Sequence, residues 1–161
     1  SSAGLGTMGF GIPAAMGVQV ALPAEQVVCV AGDASVMMNI QELATLSQYN
    51  IKCKTVIVNN GWQGMVRQWQ QSFYGQRYSS SNMQPGMPDF VMLAESMGVK
   101  GMTVSDPAEL EGAIAAMLAH DGPVLLDIRV KRDENCYPMV APGKSNAEML
   151  GLPDGASPDE K

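Results

Sequence analysis

The chain has 161 residues, 46% of them apolar and 16% charged, and a net charge of −6. That length sets one domain with room for a real core. The acidic balance argues against nucleic acid as a partner, and no apolar run reaches the roughly eighteen residues of a membrane span. Cys29, Cys53 and Cys136 are scattered and form no Cys-x-x-Cys pair, which fits a reducing compartment and no metal cluster.

Ser1 leads straight into a glycine-rich loop, Gly4 to Gly11, and no signal or transit segment is expected ahead of it. Pro13 sits where a first helical turn tolerates it, and Ala14, Ala15, Val18 and Ala21 carry a helix to Leu22. Val27 to Ala31 is a short β-branched apolar run that stops at Gly32-Asp33-Ala34-Ser35, and it reads as a buried strand. Ile40, Leu43, Ala44, Leu46 and Ser47 follow at helical spacing, with Asn39 as the expected cap and Asn50 as a left-handed stop. Val56 to Val58 is a second buried strand, ending at Asn59-Asn60-Gly61. A helix then opens near Gly64, carrying Met65, Val66, Trp69, Phe73 and Tyr74, with Val66 read as core-facing. On periodicity alone Trp69 is a core residue as well, while Gln70, Gln71 and the loop beyond argue for one wet side.

Gly75 to Pro88 is rich in Ser, Gln, Gly and Pro, the composition of a mobile loop or lid. Asp89 opens a helix that stops at Gly98, and Gly101 to Val104 is a short strand. Asp106-Pro107-Ala108-Glu109 combines a cap, Pro at the first helical position and an acid at the third, a strong start for the helix that buries Leu110, Ile114, Met117 and Leu118. His120 ends that helix; the helix dipole favours His there, so its expected role is structural. Pro123 to Val130 is the last buried strand, and Lys131 to Lys161 reads as a wrapping tail. Buried strands alternate with amphipathic helices. They predict an α/β three-layer sandwich with a mainly parallel sheet of about six strands and helices on both faces.

The unit from Val27 to Met65 is a βαβ crossover, so both polar clusters fall at the carboxyl ends of parallel strands, where α/β sheets bind ligands. Asp33 offers a carboxylate and Asn60 an amide oxygen, the donors a hard cation such as Mg²⁺ accepts alongside phosphate oxygens. Ala34, Ser35, Gly61 and Gly64 let backbone approach a ligand, and a helix N-terminus at Gly64 favours an anion. Taken alone, Asp33 also suits a helix cap or turn.

Gly32-Asp33-Ala34, then roughly two dozen residues, then Asn59-Asn60 resembles the diphosphate-binding motif of thiamine-diphosphate enzymes. With Gly64-Met65-Val66-Arg67-Gln68-Trp69-Gln70, the Gly4–Ala15 segment and Tyr137-Pro138-Met139-Val140, the chain is similar to the catalytic subunits of acetohydroxyacid synthase, also called acetolactate synthase. The resemblance runs from about Gly4 to Val140 and implies a cofactor domain over residues 1–140, with 141–161 as a C-terminal tail. It implies thiamine diphosphate and Mg²⁺ as cofactors, with Asp33, Asn60 and the Trp62 carbonyl on the metal. Gly6, Met8, Gly32, Ala34, Ser35, Gln63, Gly64 and Met65 would line the cofactor. Gly6, Met8, Met65 and Trp69 would flank the chemistry, Gly6 accepting from the aminopyrimidine and Met8 bending the cofactor. The Trp matching Trp69 lines the acceptor pocket, favours 2-ketobutyrate over pyruvate and contacts inhibitors at the channel mouth.

The reaction implied joins pyruvate to pyruvate or 2-ketobutyrate in branched-chain amino-acid synthesis. Family members are several times longer, so the chain is expected to be an excised C-terminal domain, inactive alone. The activating Glu and an FAD site are expected outside it, with a homodimer or tetramer and a regulatory subunit as partners. A cytoplasmic location is implied, organellar in a eukaryote. One departure stands out: position 34 is Ala where most thiamine-diphosphate enzymes carry Gly, costing about 1 kcal/mol if the site needs a positive φ there. Two other readings remain open: a related 2-keto acid decarboxylase or oxidase, and a non-catalytic flavodoxin-like binding module.

Overall fold

The computed structural model describes residues 1–151. In chain order the elements are α1 (Gly11–Ala21), β1 (Val28–Gly32), α2 (Asp33–Val36), α3 (Glu42–Gln48), β2 (Lys54–Asn59), α4 (Gly64–Phe73), α5 (Phe90–Ser96), β3 (Lys100–Val104), α6 (Leu110–Ala119), β4 (Val124–Arg129), β5 (Met139–Val140) and β6 (Met149–Leu150). Strands β1 to β4 form one parallel sheet in the order β1-β2-β4-β3. The main sheet thus has four strands rather than about six; β5 and β6, in the segment read as a tail, pair antiparallel in a separate ribbon.

Alternation along the strands builds two cores, one on each face of the sheet. Cys29, Ile57 and Leu125 point to one face, where Ile12 and Ala15 of α1, Leu43 and Leu46 of α3 and Phe90 and Ala94 of α5 cover them. Val56, Val104, Val124 and Leu126 point to the other, against Met117 of α6. Helices therefore lie on both faces, as expected. Cys29 packs as a small apolar group, and burial raises its thiol pKa; the Cys53 thiol is pushed up to about 12 by the same cause. Among the described residues no helix is long and apolar enough to cross a membrane.

Helix boundaries follow local chemistry. The Asp89 carboxylate accepts from the Met92 N–H at 3.0 Å and starts α5. Asp106 accepts from the Ala108 N–H at 2.9 Å and starts the short 3₁₀ turn Pro107–Glu109 that leads into α6. Asn50 closes the α3 turn at φ +47°, the left-handed stop the sequence implies. Asp89→Ala is expected to cost about 1 kcal/mol of stability, the usual worth of a cap. Chemical denaturation of wild type and variant checks this.

Asn39 is a correction. It does not cap a helix at Ile40, since α3 begins at Glu42 after Gln41. Its amide instead donates to the Gly9 carbonyl at 3.0 Å. His120 is the C-cap of α6, and its carbonyl accepts from Lys54 Nζ at 2.7 Å. Lys54 begins β2, so His120 lies at the end of the sheet remote from Asp33 and Asn60, in keeping with a structural role. Of the tail expected over 141–161, the last ten residues lie outside the described residues.

A candidate cofactor site at the strand ends

Parallel pairing sets Gly32 beside Val58, so β1 and β2 finish together and deliver Asp33 and Asn60 to the same edge. Between them lies a cavity of about 300 Å³, lined by Met8, Gly32, Asp33, Ala34, Ser35, Val58, Asn60, Trp62, Gln63, Gly64, Met65 and Val66. Every residue predicted to bind the cofactor is on that wall except Gly6, which stands off it in an exposed turn at φ +61°.

Asp33 is 1% exposed, and its Oδ2 is buried without a hydrogen-bond partner among the described residues. Burial pushes its carboxyl pKa up, while the N–H groups of Asp33, Ala34, Asn60 and Gly61 oppose that shift. An unpaired buried carboxylate is costly. It belongs in a site that brings its own positive charge. Asn60 Oδ1 accepts from the Trp62 N–H at 2.9 Å and keeps a second lone pair. Among the described residues no cluster of three or more His, Cys, Asp or Glu could hold an ion. The donors at hand are thus one carboxylate and neutral oxygens, an incomplete set that suits Mg²⁺ completed by phosphate. The residues fit the group.

Ala34 lies within the helical turn α2, and its φ is not positive. The conformational cost that would attend Ala at a left-handed position does not arise. The glycine-rich loop is tied down by α2 and the residues after it. The Ser35 hydroxyl accepts from the Gly9 N–H at 3.0 Å, and the Asn39 amide holds the Gly9 carbonyl. Gly9 sits at φ +87°, and a Cβ there would meet Asn39 Nδ2 at 2.7 Å. This contact brings Met8 to the cavity wall.

Helix α4 overturns the core-facing reading of Val66. Its apolar residues Met65, Val66, Trp69 and Phe73 are exposed, and the residues it buries are Arg67 and Gln68. Val66 is therefore not core-facing; it lines the cavity at the strand ends. Gln68 exchanges two 2.8 Å hydrogen bonds with the backbone of Cys136. Arg67 reaches Asn135 Oδ1 at 3.3 Å, and its guanidinium stacks 5.4 Å from the Trp62 ring. Met65 and Trp69 share a face, as i, i+4 spacing requires. With Val66, Gln70, Tyr74, Arg77 and Ser79 they line a second cavity of about 460 Å³, and Met65 and Val66 belong to the walls of both.

The segment from Gly75 to Pro88 is not a free lid here. The Ser81 carbonyl accepts from the Gln63 N–H at 2.9 Å, the Gly61 carbonyl accepts from the Met83 N–H at 3.0 Å, and Ser81 is fully buried. Sequence reasoning missed Arg67, Gln68 and Ser81; polar residues in polar surroundings carry no hydropathy signal of burial.

A family model described as the thiamine pyrophosphate enzyme C-terminal TPP-binding domain matches residues 1–128. The chain belongs to that family. Among curated relatives, the acetolactate synthase large subunit of Parasynechococcus marenigrum is 64% identical over 95% of this chain and 25% of its own length. The acetolactate synthase isozyme 2 large subunit of Escherichia coli is 49% identical over 93% of this chain and 27% of its own length. A solved structure, the thiamine diphosphate-dependent 4-hydroxybenzoylformate decarboxylase of Rhodococcus jostii, superposes with a TM-score of 0.73 at 37% identity, over 80% of this chain and 24% of that one. This TPP-binding domain thus spans about a quarter of the length of the relatives it matches.

The domain exposes Met8 and Met65 by 36% and 52% on the cavity wall, and Phe10, two residues after Met8, by 42%. Apolar surface so grouped seeks cover. Purified alone, the domain is expected to self-associate. Light scattering that finds a monodisperse monomer at high concentration would count against this.

Proposed function

We propose that this TPP-binding domain belongs to an acetolactate synthase, in which it holds the diphosphate end of the cofactor and shapes the acceptor pocket. The observation that carries the reading is Asp33, a buried carboxylate with an unpartnered oxygen beside Asn60 at the ends of two parallel strands. Asp33, Asn60 and the Trp62 carbonyl would hold Mg²⁺. Gly32, Ala34, Ser35, Gln63 and the start of α4 at Gly64 would receive the diphosphate. Gly6, Met8 and Met65 would flank the cofactor rings, and Trp69 the acceptor.

When bound, thiamine diphosphate supplies the carbon that adds to a 2-keto acid and the electron sink that accepts the pair left as CO₂ departs. The residues of this chain bind, orient and exclude water. Met8, Val58, Met65 and Val66 make the cavity wall apolar, which strengthens every polar contact inside it. Trp69 and Tyr74 give the adjoining cavity a shape that selects the second 2-keto acid, pyruvate or 2-ketobutyrate.

The rest of the reading concerns the whole protein. Residues 1–140 are the cofactor domain and 141–161 a tail. FAD and the activating acid are held outside this chain, in upstream domains. The enzyme acts as a homodimer or tetramer with a regulatory subunit, in the cytoplasm or an organelle, in branched-chain amino-acid synthesis. The decarboxylase among the solved structures favours a second reading, a 2-keto acid decarboxylase, but at 37% identity against 64% for the acetolactate synthase relative. Product analysis of the full-length enzyme fed pyruvate separates them. Acetolactate is the expected product; acetaldehyde or acetate in its place would overturn the proposal.

A further inference from the structure

The inference rests on the Mg²⁺–diphosphate reading above and concerns a residue outside that site. On neighbouring strands, Ile57 registers with Asp127 and Asn59 with Arg129. Asn59 and Asp127 are therefore diagonal neighbours on one face of the sheet. Asp127 is fully buried. Its Oδ1 accepts from Asn59 Nδ2 at 2.9 Å, and its Oδ2 lies 2.7 Å from Arg129 Nε.

A carboxylate only accepts, so it turns the Asn59 amide nitrogen toward itself and the amide oxygen away. That oxygen accepts from the Gly61 N–H at 3.2 Å, and Gly61 holds the turn at φ +71°. Without Asp127 the amide is free to flip. Its NH₂ would then face the Gly61 N–H, donor against donor, and the turn would lose its anchor. Asn60 and Trp62 flank Gly61 directly. We propose that Asp127 is a positioning residue for the cation site: acting through Asn59, it fixes the turn on which the Asn60 side chain and the Trp62 carbonyl are presented.

The test uses the full-length enzyme and reads Mg²⁺-dependent cofactor binding by calorimetry, with thermal melts alongside. Partners that orient a metal's ligands are typically worth about 10–100-fold in metal affinity. Asp127→Leu is expected to raise the Mg²⁺ concentration for half-saturation by that factor. Asp127→Asn, which keeps an acceptor oxygen for Asn59, should stay near wild type. Asn59→Ala should raise the requirement as Asp127→Leu does, and the double variant should go no further, because the two residues act in series. An Asp127→Leu enzyme that melts earlier with its Mg²⁺ requirement unchanged overturns the proposal. So does a double variant in which the two effects multiply. If Asp127→Leu does not fold, Asp127→Ser, whose hydroxyl falls short of Asn59, is read the same way. Asp33→Ala separates this inference from the reading beneath it. If Asp33→Ala leaves Mg²⁺ binding intact, both fall; if it abolishes binding while Asp127→Leu changes nothing, only the relay falls.

Discussion

Asp33→Ala is expected to abolish Mg²⁺-dependent binding of thiamine diphosphate in the full-length enzyme, and to leave the empty protein no less stable. The two halves have one cause. The carboxylate is 1% exposed and one of its oxygens has no hydrogen-bond partner among the described residues. Burying an unsatisfied polar group costs about 1–3 kcal/mol, and more when it is charged. Burial raises the carboxyl pKa of Asp33, so at neutral pH the folded state carries a penalty that fades as pH falls through the raised value. Alanine removes the penalty and leaves a small void. A bound cation would offset the same penalty, which is why the wild type should gain melting temperature on adding Mg²⁺ and cofactor. The variant should show a flat response. An Asp33→Ala enzyme that is still stabilised by Mg²⁺ and thiamine diphosphate puts the cation elsewhere.

Trp69→Leu is the second large effect. Trp69 is 36% exposed, meets Phe73 edge-on at 5.5 Å and forms the wall of the larger cavity with Met65 and Tyr74. 2-Ketobutyrate exceeds pyruvate by one methylene, and a pocket gains about 1–3 kcal/mol from such a group, or roughly 10–200-fold. If the proposed acetolactate synthase reading holds, loss of the indole should therefore erase most of the preference for 2-ketobutyrate while acetolactate still forms. Inhibitors that seat on the channel mouth should weaken in parallel. Competition between the two acceptors, with product ratios measured, reads this directly. Melting temperature should change little, because the ring is not in either core. A large loss of stability with the product ratio unchanged would make Trp69 a packing residue.

The strand ends were legible because the signal is local. Val28 to Ala31 and Val56 to Val58 are consecutive apolar residues, several of them β-branched, and each stops at a turn cluster, so Asp33 and Asn60 could be placed together before any coordinates. The caps at Asp89 and Asp106 and the left-handed Asn50 were legible for the same reason. What sequence hid was set by tertiary contacts. Asn39 precedes a helical pattern as a cap would, yet its amide is claimed by Gly9, thirty residues earlier. The loop from Gly75 to Pro88 has a mobile composition, but Ser81 and Met83 pair with the residues around Gly61 and Gln63. The strand count was overestimated: the sequence carries only four strand-like runs, near 27–31, 56–58, 101–104 and 123–130, and those four are the whole main sheet, while Met139–Val140 and Met149–Leu150, in the segment read as a tail, pair with each other.

Helix α4 has a consequence for the rate at which its backbone exchanges hydrogen with solvent. An ordinary surface helix is kept closed by its apolar stripe, but here the stripe faces outward and the helix is held by polar ties from Arg67 and Gln68 to residues 133–136. Such ties are each worth about 1 kcal/mol, far less than a buried apolar face. Local opening of α4 should then lie well below global unfolding in free energy, and its amides should exchange ahead of those in β2 and β4. A ligand seated against Met65 and Trp69 would cover the stripe and slow that exchange selectively. Mass spectrometry over peptides spanning 64–73 would report occupancy of this wall as protection, even for a ligand that never reacts.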